Sequence, residues 1–236
     1  TWLFHLTNIL LHAFNVVLVW LTVRMFQQRL GVSSLAVATV VALLFAVHPF
    51  QVEVVAWVNG RMMLLSTLFA LASILTFSRW LDAPRPRYAI LALVFVLLSS
   101  LSKVRVGLPL LLGLAALVHG QKLRPRFWSL WFPCAALTGW FVWINYNATA
   151  SADLFAEGAE HLWGPWLVRV LLALAFYFQH LVWPVGLTSY YPTPFVVHWS
   201  DASTAVAAII VALSLTILAV LCRISRPCRW GVLWFF

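Results

Sequence analysis

The sequence predicts an all-α polytopic membrane protein, and three observations carry that prediction. Of 236 residues, 64% are hydrophobic and only 9% are charged, whereas an ordinary soluble domain is about 25% charged. Mean hydropathy is +0.96. The apolar residues fall in long unbroken runs, not in the short alternating segments of an outer-membrane barrel. Lys and Arg collect at one set of segment ends and most of the acids at the other. So few charges cannot cover a water-soluble globule, and a disordered chain would carry far fewer apolar side chains. Crossing a bilayer core takes roughly 20 residues per helix. Seven or eight spanning helices would therefore use most of the chain, as one transmembrane domain over residues 1–236.

Each element has its own warrant. Residues 2–23 are apolar without a basic leader and too long for a signal-peptide core, so they read as a true span. Residues 33–47 form a second segment, ended by His48-Pro49, because proline lacks an amide donor and disfavours helix before it. Residues 50–58 read as a short amphipathic helix on the outer membrane surface, and Gly60-Arg61 opens a span over 62–80. Two short apolar segments, 88–101 and 106–118, flank Ser102-Lys103-Val104-Arg105. Spans over 127–146 and 203–222 enclose a less regular segment, 165–183, which contains Arg169 and His180 and stops at Pro184. The chain starts at Thr1 and stops inside GVLWFF (231–236), so both ends read as cut from a larger protein. Cys134, Cys222 and Cys228 form no CxxC pair, which argues against a disulfide framework or a zinc site.

Charge sets the orientation. Arg24 and Arg29, then Arg79, Arg85 and Arg87, then Lys122, Arg124 and Arg126, then Arg223, Arg226 and Arg229 make up eleven of the fifteen basic residues. Cytoplasmic loops retain Lys and Arg, so these clusters are predicted inside. Glu53, Asp153, Glu157, Glu160 and Asp201 fall in the other loops. The net charge of +9 thus reports topology, and nucleic acid is not an expected partner.

Polar groups inside the bilayer are costly unless paired or wet. His5, Asn8, His12 and Asn15 recur at spacings of three, four and three, which puts them on one helical face. Three readings stay open: hydrogen-bonded helix packing, the lining of a polar cavity by His5, Asn8 and His12, and axial ligation of haem or chlorophyll by a histidine. The densest external chemistry is HPFQVEVVAWVNGR (48–61), where Glu53 is the lone acid and Arg61 stands at a helix N-terminus, a place that favours anions. Lys103 and Arg105 sit between two short helices, and outward-facing cations suit a phosphate or pyrophosphate headgroup. Tyr190-Tyr191-Pro192-Thr193-Pro194, beside His198 and Asp201, reads as an interfacial aromatic belt or part of an acceptor groove.

These residues carry a resemblance. HLTNILLHAFN (5–15), HPFQVEVVAWVNGR (48–61), Ser102-Lys103, Leu108-Pro109, the Tyr190-Tyr191-Pro192 turn and GVLWFF occur in one order. Together they resemble the membrane region of the transmembrane and tetratricopeptide-repeat O-mannosyltransferase family. The likeness covers most of the chain, and the 48–61 block is its most specific part. It implies a GT-C type glycosyltransferase fold and a polyprenyl-phosphate sugar as donor substrate. Chemistry would take place on the outer or lumenal face, on an acceptor protein. An upstream helix with an acidic external loop and a downstream repeat domain are implied too, outside this chain. Similar sequences are common in bacteria, which favours a multi-pass protein of the bacterial inner membrane over the endoplasmic reticulum.

On this reading Glu53 and His48 are the catalytic candidates lining an external cavity, and Arg61, Lys103 and Arg105 bind the donor phosphate. No residue is assigned to a metal, and a divalent ion is the one cofactor to consider. The chain departs from the family pattern at Met63 and Val104, where acids are usual. Membrane lipids and partner subunits enter through the alternative: an inactive homologue serving as a structural subunit of a large, pigment- or cofactor-containing assembly. The 14 tryptophans would provide its contacts.

Overall fold

The computed structural model describes residues 2–32, 34–118, 125–151, 163–185 and 201–224. Lys122, Arg124, Arg226, Arg229, Asp153, Glu157, Glu160, Cys228, the 190–194 turn with His198, and the 231–236 run lie outside the described residues. Every described element is helical: α1 (Trp2–Arg29), α2 (Leu35–Val47), α3 (Phe50–Ala56), a 3-10 turn (Val58–Gly60), α4 (Arg61–Asp82), α5 (Pro86–Ser102), α6 (Leu108–Val118), α7 (Pro125–Ser151), α8 (Trp163–Val182) and α9 (Ala202–Ile224).

Local chemistry sets the boundaries. The Ser34 hydroxyl accepts the Val37 amide and caps α2, satisfying one donor that a helix start leaves free. Pro86 sits in the first turn of α5, where its missing N–H costs nothing. Pro49 breaks the second segment, and α2 and α3 meet at 57°. Among the described residues four helices are long and apolar enough to cross a membrane, five if the bent α2–α3 pair counts as one span. The seven to eight spans expected from sequence would require the shorter apolar helices α5, α6 and α8 to cross as well. At about 1.5 Å per residue, the 11 residues of α6 cover only about half of the bilayer core.

Contacts divide the chain into two compact units, one within residues 1–147 and one within 148–232. In the first, α4, α5, α6 and α7 bury a shared core that includes Ile74, Phe77, Val96, Leu112, Ala115 and Leu130. Phe77 meets Phe127 edge-on at 6.1 Å, and the indole N–H of Trp131 donates to the Pro109 carbonyl at 2.8 Å. In the second unit, Ala175 and Phe178 of α8 pack with Ala207 and Val211 of α9.

α1 is built inside out. Its buried residues are Asn8, Asn15, Thr22 and Gln27, all polar, while Trp2 is 68% and Phe14 61% exposed. Water would select the reverse; hydrocarbon accepts the apolar rim and drives polar groups to partners inside. This is the arrangement of a multi-pass membrane protein.

α1 and α4 run in the same direction, since Asn8 bonds Arg61, Asn15 bonds the Leu64 carbonyl and Arg29 pairs with Asp82. The basic clusters on α1 and α4 therefore converge at one end, joined there by Arg126 stacked over Trp80. Arg61, Lys103 and Arg105 stand at the other end.

Candidate functional site

The site is built around the break at Pro49. Pro49 has no N–H to continue α2, and the Phe50 amide, the helical donor for the Ala46 carbonyl, is turned instead to His48 Nδ1 at 3.3 Å. His12 Nε2 takes the Ala46 carbonyl at 3.0 Å. An imidazole nitrogen facing a carbonyl must carry a proton, so His12 donates from Nε2–H. Its Nδ1 is buried without a partner. Asn8 serves the other end of α3: its Nδ2 donates to the Val55 carbonyl at 3.1 Å and to the Trp57 carbonyl at 3.0 Å. Asn8 Oδ1 accepts from Arg61 Nε at 3.5 Å, and the Arg61 guanidinium lies 5.0 Å over the Phe4 ring. Asn8 and His12 of the α1 stripe are thus clasps that satisfy carbonyls freed by the broken helix, whereas Asn15 bonds the Leu64 carbonyl within α4.

Between α1 and the bent α2–α3 pair lies an open cavity of about 350 Å³, walled by His5, His12, His48 and Gln51 among apolar side chains. Asn8 is fully buried behind it and Glu53 is not in its wall. Glu53 is exposed on α3, and no ion pair joins it to a cation among the described residues.

The second half of the site lies on the opposite side of α4. Arg61 and Met63 are two residues apart, about 200° around a helix, so they face different neighbours. Arg105 reaches the Met63 side: its Nε donates to Ser66 Oγ at 2.8 Å and its Nη2 to the Met63 carbonyl at 3.2 Å and Thr67 Oγ1 at 2.5 Å. Burial lowers the Arg105 pKa from its ordinary value, but a guanidinium starts so high that it stays charged. Lys103 is exposed, and its Nζ approaches Met63 Sδ at 3.7 Å. Buried Ser66 fixes this turn by donating to the Lys103 carbonyl at 2.9 Å, and Ser99 Oγ donates to the Ser66 carbonyl at 3.0 Å.

The structure therefore brings Lys103 and Arg105 together and sets Arg61 apart with Asn8. His5, His12 and His48 share one cavity wall; Glu53 joins neither group. Among the described residues no group of three or more His, Cys, Asp or Glu side chains could hold a metal ion. Sequence reasoning missed Ser66, Thr67 and Ser99, the small polar residues that position Arg105. Their signal was hydroxyls inside two otherwise apolar helices. It also missed that Gly60 has no space for a side chain: a Cβ there would lie 2.0 Å from the Val54 carbonyl oxygen.

No family model matches the chain, and no solved structure matches it. A curated human protein, described as Protein O-mannosyl-transferase TMTC1 from Homo sapiens, is 39% identical over 79 residues, which is 34% of this chain. The matched stretch spans 8% of that protein's length. It supports a distant link between this membrane chain and that O-mannosyl-transferase.

Proposed function

We propose that the chain is the core of a membrane glycosyltransferase that takes a sugar from a polyprenyl-phosphate carrier on the non-cytosolic face of a bacterial inner membrane. The observation that carries this reading is the pair of cationic heads, Lys103 and Arg105, at the end of the bundle opposite the converging basic clusters. The positive-inside rule makes that end external. In the transfer, the bond from the sugar's anomeric carbon to phosphate oxygen breaks as a bond to the acceptor hydroxyl oxygen forms, and the hydroxyl proton passes to a base. Cations on the leaving phosphate stabilise the charge that develops there. Lys103 and Arg105 hold the phosphate, Arg61 attracts it from the α1 side, His48 is the acid–base group in the cavity wall, and Glu53 acts from the exposed face of α3.

The test is sugar transfer by the full-length protein in proteoliposomes, using labelled polyprenyl-phosphate mannose and a hydroxyl-bearing acceptor protein. Arg61→Ala and Lys103→Ala should each lower transfer by about tenfold or more, the scale of one lost contact to charge developing in the transition state. Wild-type turnover in the double variant would reject the phosphate role.

A second reading is an inactive homologue acting as a structural subunit. It is favoured by the thioether of Met63 beside Lys103 and by the separation of Glu53 from the cations. It predicts no transfer by the wild-type protein and purification together with partner membrane subunits.

A further inference from the structure

We infer that the Lys103–Arg105 turn binds a dianionic phosphate group, a phosphate monoester or a pyrophosphate diester, in preference to the single charge of a phosphodiester. This rests on the reading that the turn faces a lipid-linked phosphate, and it specifies the charge state: the sugar donor is a singly charged phosphodiester, and the second charge that the turn favours develops on its phosphate as the sugar leaves.

The argument is one of charge. Arg105 makes its three hydrogen bonds to neutral oxygens within one helical turn, those of Ser66, Met63 and Thr67. These bonds aim the guanidinium fork but return no negative charge, and Nη1 takes no protein partner among the described residues. The Lys103 ammonium meets only the Met63 sulfur, a weak acceptor. Both cationic heads thus share Met63 as a neighbour, one at its sulfur and one at its carbonyl, and Val104 between them is apolar. The ion pair found among the described residues is Arg29–Asp82, at the far end of α1 and α4.

Two uncompensated positive charges therefore stand on one turn, with the low-dielectric bundle on one side. Of the two, Arg105 is partly buried, and a partly desolvated charge needs counter-charge, which the exposed Lys103 beside it cannot supply. A phosphodiester brings one negative charge. A pyrophosphate diester brings two, as does a monoester above its second ionisation near pH 6. The Ser66 and Ser99 bonds hold the turn before any ligand arrives, so the Arg105 fork is already oriented for paired phosphate oxygens.

The experiment measures affinity rather than turnover. Full-length protein in neutral phosphatidylcholine nanodiscs is titrated with three probes of equal chain length: polyprenyl phosphate, a polyprenyl diphosphate sugar and a polyprenyl-phosphate sugar. At about pH 7.5, where the monoester is dianionic, the first two should bind roughly tenfold tighter than the third, the worth of one added charge-assisted hydrogen bond. Met63→Glu, which sets a carboxylate beside Lys103, should abolish the preference, while Met63→Leu keeps it. Should Met63→Glu fail to fold, Lys103→Met makes the same prediction without adding a buried acid. At about pH 5 the monoester, now carrying one charge, should lose its advantage and the pyrophosphate diester retain it. Equal affinity for all three probes overturns the inference, as does a preference that survives both Met63→Glu and Lys103→Met. A charge preference without any sugar transfer overturns only the glycosyltransferase reading, and transfer without a charge preference overturns only this one.

Discussion

Gly60→Ala probes the joint between α3 and α4 directly. The new methyl carbon would lie 2.0 Å from the Val54 carbonyl oxygen, 2.8 Å from its carbon and 3.1 Å from its Cα. All three are backbone atoms, so no side-chain rotation relieves the clash and α3 must lift away. That lift strains the Gly60 amide bond to the Trp57 carbonyl, 2.9 Å in the native turn, and the two Asn8 bonds that hold Val55 and Trp57. Overpacking costs roughly 1–3 kcal/mol, and two lost hydrogen bonds add about 1 kcal/mol each. A destabilisation of about 4 kcal/mol lowers Tm by roughly 10 °C for a chain of this length. The assay is thermal unfolding in detergent followed by tryptophan fluorescence, with two internal controls. At Gly113 a Cβ would meet Trp131 Nε1 at an ordinary 3.6 Å, and at Gly139 it would meet nothing within 4 Å. Both lie in helices, where alanine is favoured over glycine by up to about 1 kcal/mol, so Gly113→Ala and Gly139→Ala should melt at or above the wild-type temperature. If Gly60→Ala melts with the wild type, the close approach of α3 to α4 is not as described and the placement of Arg61 falls with it.

Further outcomes follow from the same contacts. Asn8→Leu deletes three hydrogen bonds and strands two carbonyls, for a cost of about 2–4 kcal/mol; faster amide exchange across 50–60, with 108–118 unchanged, checks it. Ser66→Val, at a fully buried site, should cost about 2 kcal/mol and make the Lys103–Arg105 turn accessible to protease, which limited digestion reads. Asp82→Asn removes an ion pair between two side chains more than a third exposed, so unfolding should shift by less than about 1 kcal/mol and become less salt-dependent. For sidedness, Lys103→Cys in a cysteine-free background should react with an impermeant maleimide from the non-cytosolic side and Arg85→Cys from the cytosolic side; labelling of both from one side contradicts the orientation.

What was legible in the sequence follows from terms that act residue by residue. Long apolar runs force helices, because each backbone N–H and C=O in hydrocarbon must find its partner within the segment. The proline at 49 marks a break for the same reason, and the structure has it at that place with a 57° bend. The Lys/Arg pattern marks which ends belong together, as the Arg29–Asp82 pair and the Arg126–Trp80 stack bear out. The three-four-three spacing of His5, Asn8, His12 and Asn15 gave the correct shared face, but not what the face does. Asn8, His12 and Asn15 bond to backbone carbonyls, which depends on where α2 and α3 come to lie.

The division of the cations is the clearest case of what only tertiary structure decided. By sequence, Arg61, Lys103 and Arg105 are three positive charges near one external surface. Their grouping depends on the rotation of α4 about its axis: 100° per residue sends Arg61 toward α1 and Met63 toward the α5–α6 turn. That rotation is set by which residues of α4 fit the shared core, Ile74 and Phe77 against α5, α6 and α7, and packing of this kind joins side chains distant in the chain. Composition and charge determined that the protein lives in a bilayer and which ends share a side. The close fit of helices determined which polar groups meet, because hydrocarbon attracts no apolar face more than another and leaves contact geometry to choose.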